Sequence, residues 1–217
     1  MSVNDSASGA SAQHTAREDG PAAHAGAPLG PIIISRHGRP ALDRRAGPRL
    51  SWQDYCDWWE RYEAGGLAED QAVPDRLRDA VADADVVFSS ARLRARETAA
   101  LAAPHLEAQV DPVFNEAPLP PPKLPGIRYL PKTWNVLARA AWLNGHALDG
   151  ESVSEARQRA KSAAERLHEV SSRGKVYLAA HGWFNRMIRP ELRALGWRCI
   201  EDHGDGYWCH RVYAFRG

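Results

Sequence analysis

Apolar positions along the chain fall into short unbroken runs and into longer stretches that repeat near every 3.6 residues. The unbroken runs at residues 31–35 (PIIIS), 85–88 (DVVF) and 175–180 (KVYLAA) predict strands buried on both faces. Residues 110–114 predict another short strand, and residues 207–215 alternate well enough for a last one. Helical spacing links Trp52, Tyr55, Trp59 and Tyr62 behind an N-cap at Ser51 with Asp54 three residues on, until Gly65 and Gly66 stop it. Pro74 opens a second helix with an apolar face of Leu77, Ala80, Val81 and Ala84. A third is predicted from about Ser90, directly after the second strand. Six prolines between Pro118 and Pro131 exclude regular structure there, and a short helix is expected over 134–143. Val153, Ala156, Ala160, Ala163, Leu167 and Val170 mark a long helix over 151–172. A final helix over 184–195 is expected to kink or break at Pro190.

Residues 1–28 hold almost no large apolar side chain and are expected to be a disordered tail, because nothing there offsets the entropy of ordering. Residues 29–217 are then one domain, in keeping with a length of 217 residues, 44% hydrophobic positions and eight Trp. Lys plus Arg total 28 against 27 Asp plus Glu, so there is no overall charge to favour nucleic acid or an acidic membrane, and neither partner is expected. The three cysteines, Cys56, Cys199 and Cys209, form no CxxC pair, which argues against a disulfide framework and for a reducing compartment. With no apolar run near 20 residues and no signal-like start, the expectation is a soluble cytoplasmic protein. His14 and His24 in the tail match no compact metal site. Cys199, His203, Cys209 and His210 invite a zinc reading, but their spacing fits no standard site, and Cys209 and His210 would point to opposite faces of a strand. No metal and no cofactor are expected.

Strands separated by helical crossovers must be largely parallel, which makes this an α/β chain and brings the C-terminal ends of its strands to one edge of the sheet. Three strands end in chemistry-bearing residues: Arg36-His37-Gly38, Ser90 with Arg94, and His181-Gly182. Two imidazoles and two guanidinium groups gathered at one edge call for an anion among them, and the planar Arg fork matches phosphate oxygens. A phosphate pocket follows.

These motifs, with Thr98-Ala99 after Arg94 and Gly150-Glu151-Ser152 at the start of a helix, resemble the histidine phosphatase superfamily, in its phosphoglycerate-mutase-like branch, over residues 31–215. The resemblance implies a three-layer α/β/α sandwich around a mostly parallel sheet, with a small helical and loop excursion over the active-site edge. It also implies that His37 takes the phosphoryl group, that Arg36, Arg94 and His181 surround it, and that an acid after a mid-chain strand protonates the leaving group. Glu116 stands in that acid's place. Many relatives continue with a Gly, an aromatic residue and an acidic-Gly pair, whereas this chain reads Ala117-Pro118-Leu119-Pro120-Pro121-Pro122, so Glu107 and Asp111 remain alternative donors. Ser90 suits the N-cap of the following helix.

The expected activity is metal-independent hydrolysis of a small phosphorylated metabolite through a phosphohistidine. The alternatives are a phosphoglycerate-type mutase and an inactive phosphate-recognising module; the missing acid continuation disfavours the first, and an intact nucleophile the second. Family members act on sugar phosphates, nucleotides, cofactor precursors and phosphoproteins, and no motif in residues 41–73 or 117–149 chooses among them. Trp52, Trp58 and Trp59 are read as core and Arg92 as a surface residue. Arg44, Arg45 and Arg49 could steer a phosphorylated substrate or simply be solvated, and the same choice stands for Lys123, Arg128 and Lys132. Glu151 needs no role beyond an acidic first turn.

Overall fold

The computed structural model of the protein describes Met1, residues 28–147 and residues 150–217. The expected disordered tail therefore lies outside the described residues, apart from its two end positions. Among the described residues six strands, β1 (Ile32–Arg36), β2 (Val86–Ser89), β3 (Gln109–Val110), β4 (Val176–Ala180), β5 (Trp197–Asp202) and β6 (His210–Phe215), form one sheet in the order β3-β2-β4-β1-β6-β5. The pairs among β1 to β4 are parallel because helices carry the chain between them, and β5 and β6 close one edge antiparallel through a short hairpin connection.

Strand alternation divides the core into two layers. Ile32, Ile34, Phe88 and Leu178 face α5 (Val153–Val170) and α6 (Gly182–Ala194), whereas Ile33, Val87, Tyr177 and Ala179 face α2 (Asp75–Val81) and α3 (Leu93–Ala102). Buried on both faces, these strands need unbroken apolar sequence, which is the pattern they carry. The excursion is built from α1 (Trp52–Ala64) and α4 (Pro131–Leu143), whose Tyr55, Trp58, Tyr62 and Trp134 make a separate aromatic cluster. The expected fold is thus found, and the tryptophans of α1 are packing residues, Trp58 buried and Trp52 and Trp59 partly so. Among the described residues no helix is long and apolar enough to cross a membrane.

Four local expectations are corrected, and one strand was not foreseen. The strand expected over 110–114 is only Gln109–Val110, because Pro112 has no N–H for a ladder and the Asp111 side chain accepts from Val113, curling 112–114 into a 3-10 turn. The third helix starts at Leu93, not Ser90, and Arg92 is its N-cap residue. Pro190 leaves α6 unbroken, since burial of Phe184, Ile188 and Leu192 outweighs one missing backbone hydrogen bond. The last strand begins at His210 because Trp208 takes a φ of 63° and ends the extended run. β5 has no counterpart in the hydrophobic pattern: it is an edge strand in which only Trp197 is buried.

Candidate active site

Strand register assembles the site. Arg36 lies beside Ala180 across the parallel β1–β4 pair, so the next residues, His37 and His181, leave the sheet side by side with ring centroids 5.2 Å apart. Ser89 lies beside Ala179 on the other flank of β4, which puts Ser90 against His181 with Ser90 Oγ 2.7 Å from His181 Nε2. Arg94, in the first turn of α3, points back between the two imidazoles and is fully enclosed. Thr98 fixes that turn to the Arg-His-Gly corner: its hydroxyl donates to the Arg94 carbonyl at 2.6 Å and accepts from Gly38 N at 2.9 Å. Gly38 cannot carry a side chain, because a Cβ would fall 2.5 Å from the Trp208 ring.

The protonation of His37 follows from its neighbours. Nδ1 lies 2.7 Å from the Gly38 carbonyl, which can only accept, so Nδ1 carries the proton and Nε2 keeps its lone pair. Arg94 Nε points its N–H at that lone pair from 3.3 Å. Burial first, then the charges of Arg94 and Arg36, hold the His37 pKa well below the usual imidazole range. His181 is lowered in the same way, by burial and then by Arg94 and His37. Both rings are therefore neutral near pH 7, which suits one to act as a nucleophile and both to accept an arriving anion's field without adding positive charge beforehand.

Arg36 donates through Nη1 to the Asp205 carbonyl at 2.9 Å, while its Nε is buried and meets no acceptor among the described residues. Its guanidinium sits 4.3 Å from the centre of the Tyr207 ring, whose centroid is 5.6 Å from His37. Asp205 is held in turn by Arg186, Arg189 and Arg211; burial opposes its ionisation, but the hydrogen bonds from Arg186 and Arg189 bring its pKa to about 2.

Glu116 belongs to this site, but in a way the sequence did not suggest. Its carboxylate accepts from Trp183 N at 3.1 Å, Phe184 N at 2.8 Å and Ala117 N at 3.0 Å, so it closes the N-terminal turn of α6, where His181 supplies no side-chain cap. The turn carrying it is pinned by Arg159, which donates to the Val113 and Asn115 carbonyls while paired bidentately with Glu151 at 2.6 and 2.7 Å. Glu151 precedes the N-cap Ser152 and serves this pair, a role that the acidic-first-turn reading missed. Asp111 caps the 3-10 turn and Glu107 is not among the residues lining the cleft, so neither alternative donor has Glu116's position. Ser90 likewise is no helix cap: its hydroxyl serves His181 and accepts from Arg92 N at 3.2 Å.

Beyond Arg36 and Tyr207 opens a cleft of about 770 Å³, whose walls include Glu116, Trp183 and Gly182. Arg39, Arg44, Arg45, Lys132, Arg139 and Arg186 contribute charge to it, against Asp43, Glu116 and Asp205. Arg44, Arg45 and Lys132 are thus cleft residues, whereas Arg49 and Arg128 meet one another outside it and Lys123 lies over Trp52. Burial lowers the Arg139 guanidinium to about 10, with Glu116 opposing the shift.

Glu63, at the end of α1, was not singled out by any sequence signal. Its carboxylate takes a 2.6 Å hydrogen bond from Arg94 Nη2 and lies 2.7 Å from Arg92 Nε, in ion-pair range though not aligned for a hydrogen bond. Arg92 is therefore partly engaged by α1, not a free surface residue. An anion binding at Arg94 must compete with Glu63 for the guanidinium. Glu63→Gln is accordingly expected to tighten competitive inhibition by inorganic phosphate by about 5-fold, the factor for roughly 1 kcal/mol. Unchanged or weaker phosphate inhibition would mean that Glu63 acts only to position Arg94.

A family model for the histidine phosphatase superfamily (branch 1) matches residues 32–202. Among solved structures, a putative alpha-ribazole-5'-P phosphatase from Escherichia coli superposes with a TM-score of 0.53 at 16% identity, covering 86% of this chain and 95% of that one. A phosphoserine phosphatase from Entamoeba histolytica, solved as a mutant with phosphoserine bound, gives a TM-score of 0.52 at 14% identity over 87% of this chain and 92% of that one. A protein of Thermus thermophilus gives 0.50 at 25% identity over 84% and 92%. Among curated protein sequences no significant match is found.

Proposed function

The chain belongs to the histidine phosphatase superfamily, whose chemistry is of the phosphatase and mutase type, and from that premise we propose that it hydrolyses a small phosphorylated metabolite through a phosphohistidine on His37. The observation that carries this reading is the His37 imidazole itself, neutral, tied through Nδ1 to Gly38 and presenting a lone pair on Nε2 between Arg94 and His181. In the first step Nε2 bonds to phosphorus as the ester P–O bond breaks, and the departing oxygen takes a proton from Glu116. In the second, the Glu116 carboxylate takes a proton from water as the water oxygen attacks phosphorus, the P–N bond breaks, and His37 is regenerated with release of phosphate, leaving Glu116 protonated for the next turnover. Arg36, Arg94 and His181 stabilise the charge on the equatorial oxygens in both steps; among the described residues Arg36 Nε has no acceptor to give up. No metal takes part in the transfer.

The activities named for the Escherichia coli and Entamoeba histolytica proteins are theirs. For this chain, hydrolysis is favoured over mutase chemistry because a mutase must keep the phosphoenzyme dry while its substrate turns round, and the run after Glu116, Ala117-Pro118-Leu119-Pro120-Pro121-Pro122, lacks the Gly, aromatic and acidic-Gly continuation of the mutase-like segment. Besides Arg36, six cationic side chains line the cleft against three acids, which favours a substrate with a second anionic group beside its phosphate. The three free cysteines fit a cytoplasmic setting. A panel of phosphorylated metabolites scored for released phosphate tests the reading, with 3-phosphoglycerate also scored for 2-phosphoglycerate. Phosphate release is expected to dominate; isomerisation without net phosphate would establish the mutase instead, and no activity on any substrate would favour a recognition module.

A further inference from the structure

The β5–β6 hairpin carries a second cluster of chemistry-bearing side chains, apart from the phosphate pocket. Glu201 and His203 are two residues apart at the end of β5 and share a face, and the backbone bond from His203 N to the His210 carbonyl, 3.1 Å, sets His210 directly across from them. The rings of His203 and His210 have centroids 4.5 Å apart, and His203 Nε2 is 3.4 Å from Glu201 Oε2. One ligand atom from each of the three residues lies within 4.8 Å of the others. His210 is only 1% exposed, yet neither of its ring nitrogens has a hydrogen-bond partner among the described residues. A buried imidazole with no partner is unfavourable unless something else uses its lone pair.

We propose that Glu201, His203 and His210 form a binding site for a divalent transition ion of the Zn²⁺ class. Two imidazoles and one carboxylate favour Zn²⁺, Co²⁺ or Ni²⁺ over the oxygen-seeking Mg²⁺ and Ca²⁺, and three protein ligands leave a fourth position for water. Tetrahedral bonds of about 2.0 to 2.1 Å require ligand atoms about 3.3 Å apart. The Glu201–His203 pair already has that separation, and closing the rest takes only side-chain rotation at the exposed Glu201 and partly exposed His203. Arg76, on α2, sits 3.4 Å from His203 Nδ1 and must swing outward when the ion binds, which its exposed position allows.

The location gives the ion a structural task. His203 and His210 flank the 204–209 loop, and that loop supplies the Asp205 carbonyl that holds Arg36 and the Tyr207 ring beside Arg36 and His37. An ion at its base would clip the two ends of the loop together. The zinc set weighed and set aside in the sequence joined His203 and His210 to Cys199 and Cys209 and did not include Glu201; the Cys199 thiol donates to the Glu201 carbonyl, and Cys209 faces the opposite side.

The test reads binding, not catalysis. Full-length protein, stripped with a chelator and returned to metal-free buffer, is titrated with Zn²⁺ by calorimetry and with Co²⁺ by its visible absorption. The expected result is saturation by a single ion with a tetrahedral Co²⁺ spectrum that Zn²⁺ abolishes, and a rise in the thermal midpoint. His203→Ala and His210→Ala should each weaken binding by about 10-fold or more, and His37→Ala should not change it. His203 is partly exposed, so its variant remains informative even if the His210 variant fails to fold. Affinity unchanged in His203→Ala, binding that disappears with His37→Ala, or no binding at all would overturn the proposal.

Discussion

His37→Ala is expected to reduce turnover of every substrate by on the order of 10⁴-fold or more, because removing a covalent nucleophile deletes the reaction path and not just one of its stabilising contacts. Rapid, acid-free quenching of the parent protein with labelled substrate should capture a protein-bound label that is acid-labile and base-stable, as expected of a phosphohistidine. The variant should lack it. His37 is 2% exposed and bonded to the Gly38 carbonyl, so its loss also leaves a small cavity at the end of β1. Circular dichroism and a thermal melt separate that structural cost from the chemical one. A folded variant with ordinary turnover would sink the mechanism, and an unchanged label would move the nucleophile elsewhere.

Glu116→Gln carries the second large effect, and its size should depend on the leaving group. An alkyl phosphate expels a poor leaving group that needs a proton, so loss of the donor is expected to slow turnover on the order of 100-fold. With p-nitrophenyl phosphate the phenolate leaves unaided and transfer to His37 should be far less affected. The three backbone N–H groups around the carboxylate sharpen the comparison, since Gln would turn an amide N–H₂ toward at least one of them and loosen the first turn of α6. That damage would fall on both substrates alike. Equal losses on alkyl and aryl esters would therefore make Glu116 the anchor of the segment that begins at His181, and not a proton donor.

Much of this site is written in short segments. Arg36-His37-Gly38, Ser90 and His181-Gly182 each stand at the end of a strand whose unbroken apolar sequence marks it as central, with Arg94 in the first turn of the helix that follows β2, and central parallel strands must deliver such residues to one edge. The aromatic spacing of α1 and the capping boxes at Ser51 and Ser152 are equally local, because hydrogen bonds three residues apart depend on nothing distant. The errors arose where a local preference met a competing partner: Ser90 gave its hydroxyl to His181, Pro112 denied β3 its ladder, and packing carried α6 past Pro190.

What the sequence by itself determined was therefore the central strands, most of the helices and the residues at the strand ends, since periodicity and turn chemistry act over a few positions. Tertiary structure alone decided which side chains from remote segments share one space. Glu63 reaches Arg94 across 31 positions, Trp183 and Phe184 donate to Glu116 across 67 and 68, and Arg159 ties down a turn 44 to 46 residues earlier. Each of these is a polar contact with no period of its own, set by how helices pack onto the sheet. The edge strand β5, with a single buried residue, and the imidazoles facing one another across its hairpin became visible only once that packing had placed them.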